Sequence, residues 1–146
     1  MSVDGREYLD TSALAKWYLN ELNSEAFVDY LKGLDVAIIS SLTCVEIRSL
    51  LSRRRRMGEL TPDLERLLFD VFVEDLDRGW LQLYPVDNDR YGEAYNLINR
   101  YPEFPLRTLD ALHLVVARHA GISKLATADT VMADTAKAMG FAVMRF

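Results

Sequence analysis

Apolar positions along the chain switch between a helical period and short continuous runs. Leu14, Trp17, Tyr18 and Leu22 follow Asp10-Thr11-Ser12 at helical spacing. Phe27, Val28, Tyr30 and Leu31 repeat that spacing in a second predicted helix, Ser24 to Leu34, ending near Gly33. Before them, Glu7 to Leu9, with Val3 nearby, reads as a short strand. Val36-Ala37-Ile38-Ile39 is an unbroken apolar run followed by serines, the mark of a strand buried on both faces. Thr43 to Met57 is the next predicted helix, with Arg53 to Arg56 in its last turn and Gly58 as its C-terminal cap. Pro62 opens another, in which Leu64, Leu67, Leu68, Val71, Phe72 and Leu76 share a face and which stops at Gly79. Trp80 to Tyr84 is a strand, Asn88 to Tyr101 a helix, Pro102 to Leu106 a loop, and Thr108 to Ala120 a strongly apolar helix closed by Gly121. Ile122 to Ala126 is a fourth strand, Thr130 to Met139 a helix stopped by Gly140, and Phe141 to Phe146 a fifth strand.

Five strands alternating with helices predict an α/β fold: three layers, α/β/α, around a central parallel sheet of about five strands. Residues 1–146 form one domain in this reading, because no internal repeat, low-complexity tract or long linker interrupts them. Half of the residues are apolar and 27 % charged, so the core needs no disulfide or structural metal. The lone cysteine, Cys44, allows no intrachain disulfide and no thiolate cluster, which suits a reducing compartment. Met1 to Asp10 lacks an apolar leader segment, and no later stretch is long enough to span a bilayer. A soluble, cytoplasmic protein without a membrane partner is the expectation.

The net charge of −5 predicts no bulk attraction to nucleic acid, so any phosphate contact has to come from local clusters. Arginine outnumbers lysine, which suits bidentate recognition of phosphate or carboxylate and is equally what a GC-rich genome produces. Several chemistries fall away. The seven glycines are too scattered for a dinucleotide fingerprint or a P-loop. His113 and His119 stand six apart, without the H-E-x-x-H zinc spacing; His113 reads as a partly buried helix residue bonded to backbone or a carboxylate. There is no G-x-S-x-G elbow. Ser12 stands where a haloacid-dehalogenase phosphatase needs its second aspartate, and no lysine follows a late strand as a receiver domain requires.

Four carboxylates share a positional property. Asp10 follows the first strand, Glu46 lies in the first turn after the second, Asp110 in the first turn of the helix before the fourth, and Asp129 just after the fourth. Carboxyl ends of parallel strands lie on one edge, where ligands of open α/β sheets bind. Asp110 sits within an apolar stretch, Leu109 to Leu114, where an unpaired charge is costly. Each acid also has a plain explanation as a helix cap or first-turn anion, and Thr43-x-x-Glu46 fits a capping box. Acids gathered closely repel one another, and a hard cation held by oxygen, Mg²⁺ or Mn²⁺ rather than zinc, is the usual resolution.

Tyr8-Leu9-Asp10-Thr11-Ser12, Thr43-Cys44-Val45-Glu46-Ile47, Arg107-Thr108-Leu109-Asp110-Ala111-Leu112-His113 and Ala126-Thr127-Ala128-Asp129 together resemble, in order and spacing, the motifs of PIN-domain nucleases, and within them the VapC-type toxins of toxin–antitoxin systems. The resemblance implies a PIN-like three-layer fold and a Mg²⁺- or Mn²⁺-dependent endoribonuclease whose catalytic acids are Asp10, Glu46, Asp110 and Asp129. Asp10 and Asp110 would hold metal directly, and Glu46 and Asp129 would act through bound water, as orienting base or as second-site ligands, with Thr11, Ser12 and Thr127 holding those waters. RNA is the implied substrate, and Arg48, Arg107 and Arg53 to Arg56 are candidates for its phosphates; the last four read equally as a solvated helix end. A small antitoxin is the implied partner, with Trp17, Tyr18, Phe27 and Tyr30 either lining its groove or packing as core, and a homodimer is implied as well. An inert interaction module with the same fold and a phosphohydrolase of small phosphate esters remain the alternatives.

Overall fold

The computed structural model describes residues 5–146; Val3 lies outside them. Twelve elements follow in order: β1 Arg6–Leu9, α1 Thr11–Tyr18, α2 Ser24–Lys32, β2 Val36–Ser40, α3 Ser41–Arg56, α4 Pro62–Asp77, β3 Leu81–Tyr84, α5 Asn88–Arg100, α6 Thr108–His119, β4 Lys124–Thr127, α7 Thr130–Ala138 and β5 Ala142–Arg145. The five strands form one parallel sheet in the order β3-β2-β1-β4-β5. From β1 the chain moves outward through β2 and β3, then returns to place β4 on the other side of β1. The point where strand order reverses therefore lies between β1 and β4.

Alternation along each short strand divides the core in two. Tyr8, Ile38 and Leu125 face one layer, where Leu97 of α5, Leu112 to Ala117 of α6 and Met132 and Ala136 of α7 cover them. Leu9, Ala37, Ile39, Leu81 and Ala126 face the other, against Leu14 and Tyr18 of α1, Phe27 of α2, Ile47 and Leu51 of α3 and Phe72 of α4. Parallel strands buried on both faces need such runs, and each fully buried Leu, Ile or Phe contributes about 1.5–3 kcal/mol. Trp17, Tyr18, Phe27 and Tyr30 belong to this second core, so the sequence's aromatic stripe is packing; the phenols of Tyr18 and Tyr30 donate to Asp75 and Glu7.

Several boundaries differ from the sequence expectation, each for a local reason. The first helix stops at Tyr18, and Leu22, expected on its apolar face, is 82 % exposed beyond it. α3 begins at Ser41 with Ser40 as its N-cap, two residues earlier than expected. The Thr43–Glu46 capping box therefore does not exist: Thr43 lies inside the helix with its hydroxyl buried and unpaired, and Glu46 falls in the second turn. β4 runs from Lys124 to Thr127 because the Ile122 amide is used to close α6 on the Ala117 carbonyl. Trp80 stays outside β3, since its amide bonds the Asp75 carbonyl at the end of α4. Gly58 caps α3 as expected: at φ +80° its amide reaches the Arg55 carbonyl while that of Glu59 reaches Arg54. Among the described residues no helix is long and apolar enough to cross a membrane.

Candidate active site

A cleft of about 480 Å³ opens at the carboxyl edge of the sheet, over the reversal point between β1 and β4. Asp10, Glu46, Asp110 and Asp129 all line it, together with Thr11, Ser12, Val45, Ser49, Leu50, Arg53, Arg107, Leu109, His113 and Met132. The four acids expected from the sequence are thus brought to one wall, three from strand ends or the helix that follows, and Asp110 from the first turn of α6.

Capping and cleft placement turn out to be one arrangement. Asp10 is the N-cap of α1, its Oδ1 accepting from the Ala13 amide at 3.0 Å, and it is only 3 % exposed. Oδ1 also accepts from the Ser12 hydroxyl at 2.8 Å and Oδ2 from the Thr127 hydroxyl at 2.6 Å. Asp129 caps α7 through the Val131 amide at 3.3 Å. Asp110 Oδ2 accepts from the Arg107 amide at 3.4 Å. A helix that starts at a sheet edge puts its capping carboxylate over that edge.

Ser12 and Thr127 tie the two central loops together. Ser12 Oγ accepts from the Ala128 amide, and Thr127 Oγ1 accepts from the Asp129 amide at 3.0 Å. Thr11, Ser12 and Thr127, expected to hold waters, instead give their hydroxyl protons to the acids: Thr11 to Glu46 Oε1 at 2.8 Å, the other two to Asp10.

Charge in the cleft is left unbalanced. Among the described residues the only arginine or lysine within ion-pair distance of the four acids is Arg107, whose Nε stands 3.8 Å from Asp110 and whose side chain is 83 % exposed. Burial pushes the Asp10 carboxyl above its ordinary range despite the hydrogen bonds from Thr127, the Ala13 amide and Ser12. Burial raises Asp110 too, and the negative charge of Asp129 adds to it. Glu46 moves the other way: burial opposes it, but the hydrogen bonds from His113 and from the Thr11 hydroxyl outweigh that and hold it below the usual range. Carboxylates kept from ionising easily by burial and mutual repulsion are what an added cation relieves. The donor set is oxygen throughout, with Oε2 of Glu46, Oδ1 of Asp110 and Oδ2 of Asp129 free of protein partners among the described residues. Such a set fits a hard divalent ion. No three acidic, histidine or cysteine side chains among the described residues form a ready-made metal cage. Mg²⁺ needs none, since it commonly binds through one or two carboxylates, water and substrate phosphate.

Two functional features escaped the sequence reading. His113 is fully buried rather than partly, at 2 % exposure, and its carboxylate partner is Glu46 itself, Nε2 to Oε1 at 2.5 Å, with Nδ1 meeting the Tyr8 hydroxyl at 2.5 Å. Its position three residues after Asp110, on the same face of α6, was the available signal. The arginine run also splits. Arg54 pairs with Glu21 and Glu59, and Arg55 joins Arg48 on Glu65, whereas Arg53 faces the cleft. Glu46, Ser49, Leu50 and Arg53 follow i, i+3, i+4, i+7, one helix face.

A PIN-domain model matches residues 8–138 of this chain, which belongs to that family. It is 33 % identical over 144 residues to Ribonuclease VapC46 of Mycobacterium tuberculosis, covering 94 % of this chain and 95 % of that one. Among solved structures it superposes with a TM-score of 0.71 on Mycobacterium tuberculosis VapC20, described as a Sarcin-Ricin loop cleaving toxin, at 20 % identity over 92 % of this chain and 95 % of the other. A toxin–antitoxin complex from Klebsiella pneumoniae superposes at 0.59, with 15 % identity and 85 % and 87 % covered.

Proposed function

We propose that this PIN-domain protein is an endoribonuclease dependent on Mg²⁺ or Mn²⁺, acting in the cytoplasm as the toxin of a toxin–antitoxin pair. The observation that carries this reading is the set of four cleft acids held at the strand-order reversal, where among the described residues the exposed Arg107 is the one arginine or lysine within ion-pair distance of them. The ribonuclease name of a relative one-third identical over nearly the whole chain supports the activity. The complex from Klebsiella pneumoniae supports a small antitoxin as partner. A homodimer is part of the same reading, with light scattering as its check.

Asp10 and Asp110 are the residues that would hold the ion. When bound, it supplies Lewis-acid chemistry, acidifying water and neutralising charge at the scissile phosphate. The chain's own part is positional. Ser12, Thr127 and the Ala13 amide fix both oxygens of Asp10, so this carboxylate enters the cleft in one orientation. Glu46, ionised and anchored by one oxygen, accepts the proton of an attacking water with the other. Asp129 orients the opposite side, and Arg53 and Arg107 meet the flanking phosphates from the rim.

Purified protein incubated with RNA cleaves it when Mg²⁺ or Mn²⁺ is added and not in EDTA. Binding of RNA without cleavage under every metal condition points to an inert module. Turnover of small phosphate esters with RNA left intact points to a phosphohydrolase.

A further inference from the structure

Beneath the acids lies a chain of polar side chains of which the reaction as described uses only the Glu46 end. Tyr8 leaves the central strand β1 with no exposed surface, and its hydroxyl meets Nδ1 of His113 at 2.5 Å, the rings standing edge to face. His113 Nε2 meets Oε1 of Glu46 at 2.5 Å, and the Thr11 hydroxyl donates to the same oxygen at 2.8 Å. The chain thus runs from the middle of the sheet, through α6, to the acid carried by α3.

We propose that His113 is a positioning residue, set by the Tyr8 hydroxyl so that its Nε2–H anchors Oε1 of Glu46 and turns Oε2 alone to the cleft. An ionised carboxylate facing Nε2 requires a proton there, because two lone pairs in contact repel. With the ring neutral, Nδ1 is an acceptor, and the hydroxyl of Tyr8 is the donor it needs. From the Tyr8 hydroxyl to Oε1 of Glu46 each hydrogen bond then has one donor and one acceptor, and a network paired in this way holds one geometry. Oε1 receives two donors, from His113 and Thr11, while Oε2 has none among the described residues. Glu46 is otherwise a flexible side chain on a helix surface between exposed Val45 and Ser49. The anchor removes that freedom before substrate arrives. Outer groups that orient a site carboxylate commonly matter by about 10–100-fold in activity or metal affinity.

This inference rests on the nuclease reading of the cleft, so its test carries readouts that do not need turnover. In the metal-free protein, nitrogen-15 spectra of His113 show hydrogen on Nε2; a bare Nε2 with hydrogen on Nδ1 overturns the proposal. His113→Leu removes the anchor and His113→Gln restores an amide donor at the Nε2 position. His113→Leu lowers kcat about 10–100-fold and weakens Mn²⁺ binding, measured calorimetrically without RNA, while KM for RNA stays within about twofold. His113→Gln recovers most of both losses. A folded His113→Leu with unchanged kcat and Mn²⁺ affinity overturns the role, and so does a His113→Gln as impaired as the leucine. If the leucine variant does not fold, Tyr8→Phe, whose ring keeps its packing, gives the same reading: redistribution of the His113 proton with a several-fold loss of kcat supports the chain, and no change in either overturns it. A parent protein that leaves RNA intact in Mg²⁺ and Mn²⁺ sinks the nuclease reading itself, and cleavage by Asp10→Asn takes the reaction away from this cleft; an active parent and an inactive Asp10→Asn beside a fully active His113→Leu sink only this inference.

Discussion

The two ends of α3 carry opposite charge and treat it oppositely. Toward its C-terminus arginines crowd together, yet the fold answers most of them: Glu65 lies between Arg48 and Arg55, and Arg54 bridges Glu21 and Glu59. Toward its N-terminus Glu46 joins Asp10, Asp110 and Asp129 in a cleft where, among the described residues, the one arginine or lysine within ion-pair distance of the acids is the exposed Arg107, 3.8 Å from Asp110. Charges satisfied inside the chain make a surface network worth little, about 0–1 kcal/mol per exposed pair. Charges left unsatisfied beside a buried carboxylate are where an outside ion of opposite sign gains most. The difference separates the helix end that is structure from the one that is chemistry, and a count of charged residues would have ranked them the other way.

The largest break in this comparison comes from the acidic end. Asp10→Asn or Asp110→Asn keeps the fold, because asparagine is a good N-cap and retains an acceptor oxygen. RNA cleavage in Mn²⁺ falls by at least about 10³-fold in either variant, the scale on which a group needed in the transition state is missed. An active Asp110→Asn protein removes that residue from the site.

A sharper cut runs through the arginines. Arg53 shares the cleft face with Glu46, whereas Arg55 is committed to Glu65. Arg53→Ala therefore weakens RNA binding and reduces the slope of log affinity against log salt by about one, the signature of one lost phosphate contact. Arg55→Ala leaves that slope unchanged. Equal slopes for both variants return Arg53 to the solvated helix end.

Element order and the four acids were legible because they rest on local rules. Apolar runs of strand length, glycines past helix ends and acids at strand-to-helix junctions each need only a few neighbouring residues. What stayed hidden depends on distant ones. The start of α3 at Ser41 follows from β2 ending against β3 at Ser40–Tyr84, which the serines themselves do not announce. His113 finds Glu46 sixty-seven residues away and Tyr8 one hundred and five away, through packing of α6 beneath the cleft. Weighing caps against a place in the cleft residue by residue also set up a false choice, since Asp10 and Asp129 each cap a helix and line the cleft at once.

The smallest effect tests whether the cleft's charge is a strain on the fold itself. Asp10 and Asp110 are raised above the ordinary carboxylate range of about 4, so the folded chain holds their protons more tightly than the unfolded one. Their contribution to stability is present below that range and is lost as pH rises through the raised values. Glu46, held below the range, contributes above it and fails as pH falls through its lowered value. At neutral pH, without divalent ions, Asp10 is thus a liability that Asp10→Asn removes. The variant melts a few degrees higher than the parent in EDTA, roughly 2–4 °C for each kcal/mol recovered in a chain of this size. Acidifying from pH 7.5 narrows the gap as the parent's Asp10, raised by burial, takes up its proton. Adding Mg²⁺ narrows it from the other side by binding only the parent's intact acid set. Equal melting temperatures in EDTA across that pH range mean that burial of Asp10 costs the fold nothing, and the contrast between the two ends of α3 then loses its energetic basis.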